Sequence, residues 1–151
     1  HIEQIASLPK RLKEVASNLT DEQINTPYRP EGWTVRQLIH HIVDSHINSY
    51  VRYKWTLTEE TPVIKAYDEK SWSLLPDAMD APIDLSINLL DALHARWTFL
   101  LQTMPEDDFN KKLSHPDWTK DATLSLMTHM YSWHGNHHLA HITSLIERKD
   151  W

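Results

Sequence analysis

Glycine is scarce in this chain, with only two in 151 residues. Tight turns of β-rich folds and the phosphate-binding loops of nucleotide enzymes depend on glycine, because it alone reaches left-handed backbone conformations without steric cost. The sequence therefore excludes those folds and favours helices. At this length we expect a single domain with its own apolar core, so that any bound metal would serve function rather than hold the fold together.

Apolar residues recur every three or four positions in the first third of the chain, which is the spacing of an amphipathic helix. A first helix is predicted from Ile2 to about Leu19, with a kink expected at Pro9. A second helix is predicted to open at the capping box Thr34–Gln37 and to extend to about Leu57.

The same spacing predicts two further helices. The third is expected to have Asp84 as its N-terminal cap and to end before Pro105, with apolar positions at Leu85, Leu89, Leu93, Trp97, Leu100 and Met104. The fourth is expected from about Thr123 to Arg148. Four such helices without an alternating strand pattern indicate an all-α four-helix bundle, antiparallel or crossover.

The segment from Glu59 to Pro82 carries three prolines and interrupts the helical pattern between the second and third helices. Asp68–Leu75 within it has the composition of a short helix. Because a loop of this length in a compact domain is usually functional or disordered, we expect a lid or pocket wall, with Trp72 as a candidate pocket residue.

Composition narrows the classes of partner. The net charge is −6 and no basic run is present, which argues against a nucleic-acid surface. No apolar run approaches the ~20 residues of a membrane span, and no leader sequence opens the chain. With no cysteine, the sequence fits a cytoplasmic protein. We expect its partner to be a small-molecule substrate. Because the chain begins with His1 rather than Met, we expect additional N-terminal residues.

Histidine is abundant, and eight of the eleven fall in residues 40–46 and 129–141. On the fourth helix His134 and His138 occupy positions in an otherwise apolar series, and His141 lies on the same stripe, with His137 at its edge. Burying several imidazoles costs free energy unless each finds a partner, and a divalent cation would be such a partner.

A third ligand would have to come from another helix. The second helix offers His40, His41 and His46, and spacing alone does not choose among them, although a helical wheel slightly favours His46. Asp44 lies one turn from His41, where it could orient a ligand or act as a base. His46, His137 and His141 are candidates for a supporting or substrate-facing role. The other histidines are predicted to be ordinary surface or capping residues: His1, His94, His115 and His129.

Several strings of the sequence closely resemble the YfiT-type metal-dependent hydrolases of the DinB-like superfamily. The resemblance covers nearly the whole chain, both histidine windows and the segment between the second and third helices. The strings are Thr26-Pro27-Tyr28-Arg29, Gly32-Trp33-Thr34-Val35-Arg36-Gln37, His40-His41-Ile42-Val43-Asp44-Ser45-His46, Tyr67-Asp68-Glu69-Lys70-Ser71-Trp72, Leu93-His94-Ala95-Arg96-Trp97 and Trp133-His134-Gly135-Asn136-His137-His138-Leu139-Ala140-His141-Ile142.

This resemblance implies a DinB-like four-helix bundle, commonly a homodimer, with one zinc or nickel ion held by three histidines and water in its open positions. Transferred residue by residue, it makes His41, His134 and His138 the ligands, and so replaces His46 of the helical wheel.

Three functions are compatible with such a site. The first is a metal-dependent hydrolase in which the ion activates water, with Asp44 and His137 as candidate catalytic residues and the substrate unknown. The second, which other branches of the superfamily imply, is a metal-dependent S-transferase that uses bacillithiol or a similar thiol. The third is a metal-binding stress-response bundle without turnover.

Overall fold

The computed structural model describes residues 1–151, and four long helices dominate it. They are α1 (Ile2–Ala16), α3 (Val35–Thr58), α6 (Ile83–Thr103) and α7 (Leu124–Lys149). Short elements join them: α2 (Asp21–Ile24), α4 (Glu69–Trp72), α5 (Pro76–Asp80), a 3₁₀ helix (Glu106–Asn110) and the two-residue strands β1 (Lys112–Leu113) and β2 (Ala122–Thr123), which pair antiparallel. The predicted all-α four-helix bundle is confirmed.

The helix starts follow local capping chemistry. Thr34 and Gln37 form the predicted capping box, in which the Thr34 N–H donates to Gln37 Oε1 at 2.9 Å. Thr123 caps α7 by accepting the backbone N–H of Leu126. The cap predicted at Asp84 is wrong, because α6 begins after Pro82 without a side-chain cap and Asp84 lies inside its first turn.

The first predicted helix is shorter than expected. It ends at Ala16 rather than near Leu19, because Thr20 opens the separate helix α2 with a capping box of its own. Pro9 lies inside α1 and is buried, and the helix is continuous through it. The helical segment expected at Asp68–Leu75 is α4, which Asp68 caps by accepting the Ser71 N–H at 3.0 Å.

The long helices pack in the order α1, α6, α3, α7 around the bundle. Helix α1 packs mainly on α6 and α7, and α3 packs on the same two helices. Consecutive long helices are therefore diagonal neighbours at two of the three connections, α1 to α3 and α6 to α7. This is the crossover form of the two arrangements that the sequence allowed. None of the helices combines the length and apolarity that crossing a bilayer requires.

Two apolar clusters fill the bundle. The first contains Leu8, Leu12, Ala16, Val35, Leu38, Ile39, Ile42, Val43, Ile87, Leu90, Leu139, Ile142 and Leu145. The second contains Ile5, Tyr53, Ile64, Trp97, Leu101, Leu113, Ala122, Leu124, Met127 and Tyr131.

Along α3, α6 and α7, four histidines lie between the residues of one cluster and those of the other: His46, His94, His134 and His138. His41 lies one turn earlier on α3, within the stretch that contributes to the first cluster, and its ring lies beside those of His134 and His138. We call these residues the histidine layer: His41, His46, His94, His134 and His138. Because each cluster is apolar, the polar groups of the layer must find their partners among themselves, in the backbone or in a ligand.

Candidate metal centre

Three rings of the histidine layer converge from two helices. His41 comes from α3, and His134 and His138 come from successive turns of α7. One ligand nitrogen of each ring lies within 4.8 Å of the others. The ring centroids are 4.5 Å apart for His134 and His138, 4.8 Å for His41 and His138, and 5.4 Å for His41 and His134. Three imidazole nitrogens at this separation form a donor set of the kind that binds a divalent transition-metal ion.

The two helices hold these rings by ordinary packing. The i, i+4 spacing places His134 and His138 on one face of α7, and α3 packs against that helix. The ring of Trp33, which directly precedes the Thr34 cap, lies 4.7 Å from the ring of His41. The start of α3 therefore fixes the position of the ligand that this helix contributes.

All three rings are neutral at physiological pH. Burial lowers the pKa of His41 to about 4. Burial and then the neighbouring His41 lower the pKa of His134 to about 3, and burial and then His134 lower that of His138 to about 2. A neutral imidazole offers a lone pair, so the low pKa values keep the nitrogens in the form that a metal ion requires.

The rings also fit a cation because their hydrogen bonding is incomplete. Nδ1 of His138 is buried and has no hydrogen-bond partner. Burial alone shifts the pKa of His41, with no hydrogen bond or charge to offset it. A buried polar atom without a partner is rare in folded proteins, and a bound ion would explain why His138 Nδ1 is tolerated.

The interior side of the layer is fully hydrogen-bonded. His46 lies between two other histidines: its Nε2 is 3.2 Å from His134 Nδ1, and its Nδ1 is 2.8 Å from His94 Nε2. His94 Nδ1 is in turn 2.6 Å from the backbone oxygen of Ile5. His46, the residue that the helical wheel favoured, is therefore placed behind His134 and outside the converging group of three.

The prediction that His94 is a surface or capping residue is wrong. Its exposure is 1%, and it belongs to the histidine layer. The prediction placed Leu85 and Leu89 on the buried face of the third predicted helix. In the structure these two residues are 63% and 49% exposed, so the buried face is a different one. The buried series is Ile87, Leu90, His94, Trp97 and Leu101, whose spacing of three and four residues would have placed His94 in the core.

His137 and His141 form a second pair on α7. Their Nε2 atoms are 3.1 Å apart, and the His137 ring stacks on Trp133. Together with His138 they make another group whose ligand atoms lie within 4.8 Å. This group comes from a single helix, and two of its three rings already bond to each other. Of the two groups, that of His41, His134 and His138 is therefore the stronger candidate for binding a metal ion.

A surface cleft of about 410 Å³ reaches His138 from outside. His137 and His141 line it together with Arg29, Glu69 and Lys70. Its volume falls in the range of small-molecule sites, and α4 supplies one wall, as expected for the segment after α3. Trp72 is not among the lining residues; its ring packs on Tyr67 at 4.8 Å.

Asp44 lies on α3, one turn beyond His41, and is partly buried. Burial, and then the charge of Asp77, raise the pKa of its carboxyl to about 6. A carboxyl group with this pKa exchanges its proton near neutral pH.

The remaining histidines have local roles. His40 is buried, and its two ring nitrogens contact Ser86 Oγ at 2.7 Å and the Ala81 carbonyl at 3.2 Å. His115 accepts the Asp117 N–H, and the ring of His1 packs edge-on against that of His129 at 4.3 Å. His1 and His129 are exposed, as predicted.

Comparisons with known proteins agree with this arrangement. The sequence model of the DinB superfamily matches residues 4–142. The chain is 48% identical to "Putative metal-dependent hydrolase YfiT" of Bacillus subtilis, covering 99% of this chain and 84% of that protein. A protein of Bacillus pumilus that carries the same functional description is 50% identical over 99% of this chain and 85% of its own length.

A solved structure is also similar. It is that of YfiT from Bacillus subtilis, described as a probable metal-dependent hydrolase with an unusual four-helix bundle topology. Its TM-score with this chain is 0.97 at 48% identity, covering 99% of this chain and 86% of the other.

Proposed function

This chain belongs to the DinB superfamily, and we propose that it is a metal-dependent hydrolase whose ion is held by His41, His134 and His138. The observation that carries the proposal is the convergence of three neutral imidazoles, with nitrogens within 4.8 Å, beside a cleft that reaches His138. The names of the similar proteins, which describe metal-dependent hydrolases, support the same function.

The donor set suits zinc or nickel, because imidazole nitrogen is a favoured ligand of both. Held by His41, His134 and His138, such an ion would supply activated water as the nucleophile for hydrolysis. The chain contains no cysteine that could serve instead.

The protein's own groups then have distinct roles. The cleft admits a small molecule to His138, and its wall carries cationic and anionic side chains from Arg29, Lys70 and Glu69. Asp44, with a pKa of about 6, is the proposed proton-exchanging group of the reaction. His137 faces the same cleft and is a candidate contact for the substrate.

Parallel assays test this proposal. The protein is purified with its native metal, the metal is identified by mass spectrometry, and ester, amide and low-molecular-weight thiol substrates are assayed side by side. Bound metal and hydrolysis that disappear together in His134→Ala, with the bound metal retained in His137→Ala, support the proposal. Thiol conjugation without hydrolysis would favour an S-transferase, and turnover by verified metal-free protein would overturn metal dependence.

The role of Asp44 has a separate test. Asp44→Asn is expected to retain the bound metal and to lose most of the hydrolysis rate, while His40→Gln, a change one turn away on the same helix that leaves the carboxyl group in place, retains both. Unchanged hydrolysis by Asp44→Asn would assign the proton transfer to another group.

The homodimer and the cytoplasmic location stay predictions; light scattering on the purified protein tests the first.

A further inference from the structure

Pro9 leaves one backbone carbonyl of α1 without its helical partner. In an α-helix the N–H of residue 9 would donate to the carbonyl of residue 5, and proline has no N–H. The carbonyl of Ile5 is therefore free, and His94 Nδ1 lies 2.6 Å from its oxygen. A proline inside a helix thus creates an acceptor in the middle of the bundle.

Two further contacts extend this bond to the candidate metal centre. His94 Nε2 is 2.8 Å from His46 Nδ1, and His46 Nε2 is 3.2 Å from His134 Nδ1. His46 and His94 are 0% and 1% exposed, and neither forms an ion pair. Charged imidazoles at these positions would be costly, so each ring is neutral and carries one proton.

The direction of every bond follows from the carbonyl. A carbonyl oxygen only accepts, so the proton of His94 is on Nδ1 and its Nε2 accepts. His46 must then donate from Nδ1 and accept at Nε2. His134 donates from Nδ1 in turn, which leaves its Nε2 unprotonated. If any one of these hydrogen bonds were reversed, two N–H groups or two unprotonated nitrogens would face each other at a neighbouring bond of the series.

We propose that the Ile5 carbonyl, His94 and His46 form a positioning relay that holds His134 as the Nδ1-protonated tautomer, with Nε2 available to a metal ion. The proposal rests on the metal centre proposed above. Histidine ligands of metals commonly donate their other N–H to a protein acceptor, which fixes ring orientation and tautomer. Here that acceptor is another histidine, and the direction of all the hydrogen bonds is set by a backbone oxygen on α1, the fourth helix of the series.

Affinity for zinc tests the relay with matched variants, measured by competition with a chromophoric chelator. His94→Leu removes the acceptor for His46 and is expected to weaken zinc binding by about 10–100-fold. In His94→Gln the amide can donate to the Ile5 carbonyl and accept from His46, so most of the affinity should return. His40→Leu removes another buried histidine with two hydrogen bonds and should leave zinc affinity unchanged.

Nitrogen NMR of the metal-free protein supplies a readout that packing defects would not produce. The wild type and His94→Gln should show His134 protonated on Nδ1, and His94→Leu should show a mixture of tautomers. Pro9→Ala gives the Ile5 carbonyl a second donor. Because this oxygen has two lone pairs, any loss of zinc affinity should be smaller than that of His94→Leu, and the helix should be at least as stable.

Several results would overturn the relay. These are wild-type His134 protonated on Nε2, a folded His94→Leu with wild-type zinc affinity, and an equal loss of affinity in His40→Leu. If His94→Leu fails to fold, the tautomer of the wild type decides. A wild type that binds no zinc yet shows the Nδ1 tautomer would refute the metal centre and leave the hydrogen-bonded chain in place.

Discussion

The two sides of the histidine layer differ in whether the nitrogens of their buried imidazoles have hydrogen-bond partners. On the interior side, both nitrogens of His46 and of His94 have hydrogen-bond partners. On the open side, His138 has a buried nitrogen without any partner, and no hydrogen bond offsets the burial of His41. His134 joins the two. The same residue type thus has complete hydrogen bonds on one side of the layer and retains unused bonding capacity on the other.

Removing single histidines should separate the two sides most clearly. We expect His41→Ala and His134→Ala each to weaken metal binding by more than about 100-fold, because each removes one of three donors. His137→Ala should retain the metal, since its Nε2 already bonds to His141. Metal content and zinc affinity of the purified variants measure this. Equal losses in His137→Ala and His134→Ala would assign the ligands to the other α7 group.

Chelation should empty the open side without unfolding the protein. The two apolar clusters and the bonded interior side do not require a metal, so hydrolysis should be lost while the helical circular dichroism changes little. Restoring activity with zinc or nickel is the control for damage. Loss of the helical spectrum on chelation would mean that the open side supports the fold as well.

Acid should destabilise both sides of the layer, and His94 allows the contribution of the interior side to be measured separately. Burial, partly offset by the bond to the Ile5 carbonyl, lowers the pKa of His94 from 6.5 to about 4. The unfolded chain therefore binds a proton at higher pH than the folded one, and stability falls as the pH drops from 6.5 toward 4. The two values correspond to a loss of up to ~3 kcal/mol.

His94→Gln isolates that contribution because glutamine keeps the bonds and does not titrate. Chemical denaturation of metal-free wild type and variant at pH 7, 5.5 and 4.5 should show a steeper decline for the wild type. Parallel declines would show that His94 does not supply the pH dependence.

The smallest expected effect concerns the contact between α1 and α7 beside the layer. A Cβ added at Gly135 would clash with Leu8 Cδ2 and lie 3.3 Å from Leu8 Cδ1, and Leu8 is 1% exposed. Overpacking of a core costs ~1–3 kcal/mol, whereas alanine favours the helix by ~1 kcal/mol, so Gly135→Ala should lose about 1 kcal/mol net. The Leu8→Ala, Gly135→Ala double variant should lose less than the sum of the two. Additive losses would show that the clash is not the cause.

Local sequence patterns predicted the features that depend on neighbouring residues. The capping box of α3 and the i, i+4 spacing on α7 depend on residues within one or two turns, and both are present in the structure. The choice of His41 over His40 and His46 came from a family resemblance, because spacing alone could not distinguish them. In the structure, His41 is the one of the three that joins His134 and His138.

The interior side depends on distant partners that no local pattern describes. The hydrogen-bond acceptor of His94 is the backbone oxygen of a residue 89 positions away in the sequence. The buried face predicted for this helix was also wrong, so His94 was predicted to lie at the surface. The diagonal order of the helices could not be predicted either, because an apolar stripe indicates that a helix packs against others but not against which ones.

The diagonal packing of the long helices has a consequence for biosynthesis. Domains generally acquire their structure as the chain leaves the ribosome, N-terminal parts first. Here α1 and α3 both pack on α7, the last helix, and His46 meets His134 across 88 residues. A nascent chain that lacks α7 has every member of the relay but only one of the three proposed donors, His41. The three proposed donors can therefore come together only after α7 has been synthesised and has packed against α3.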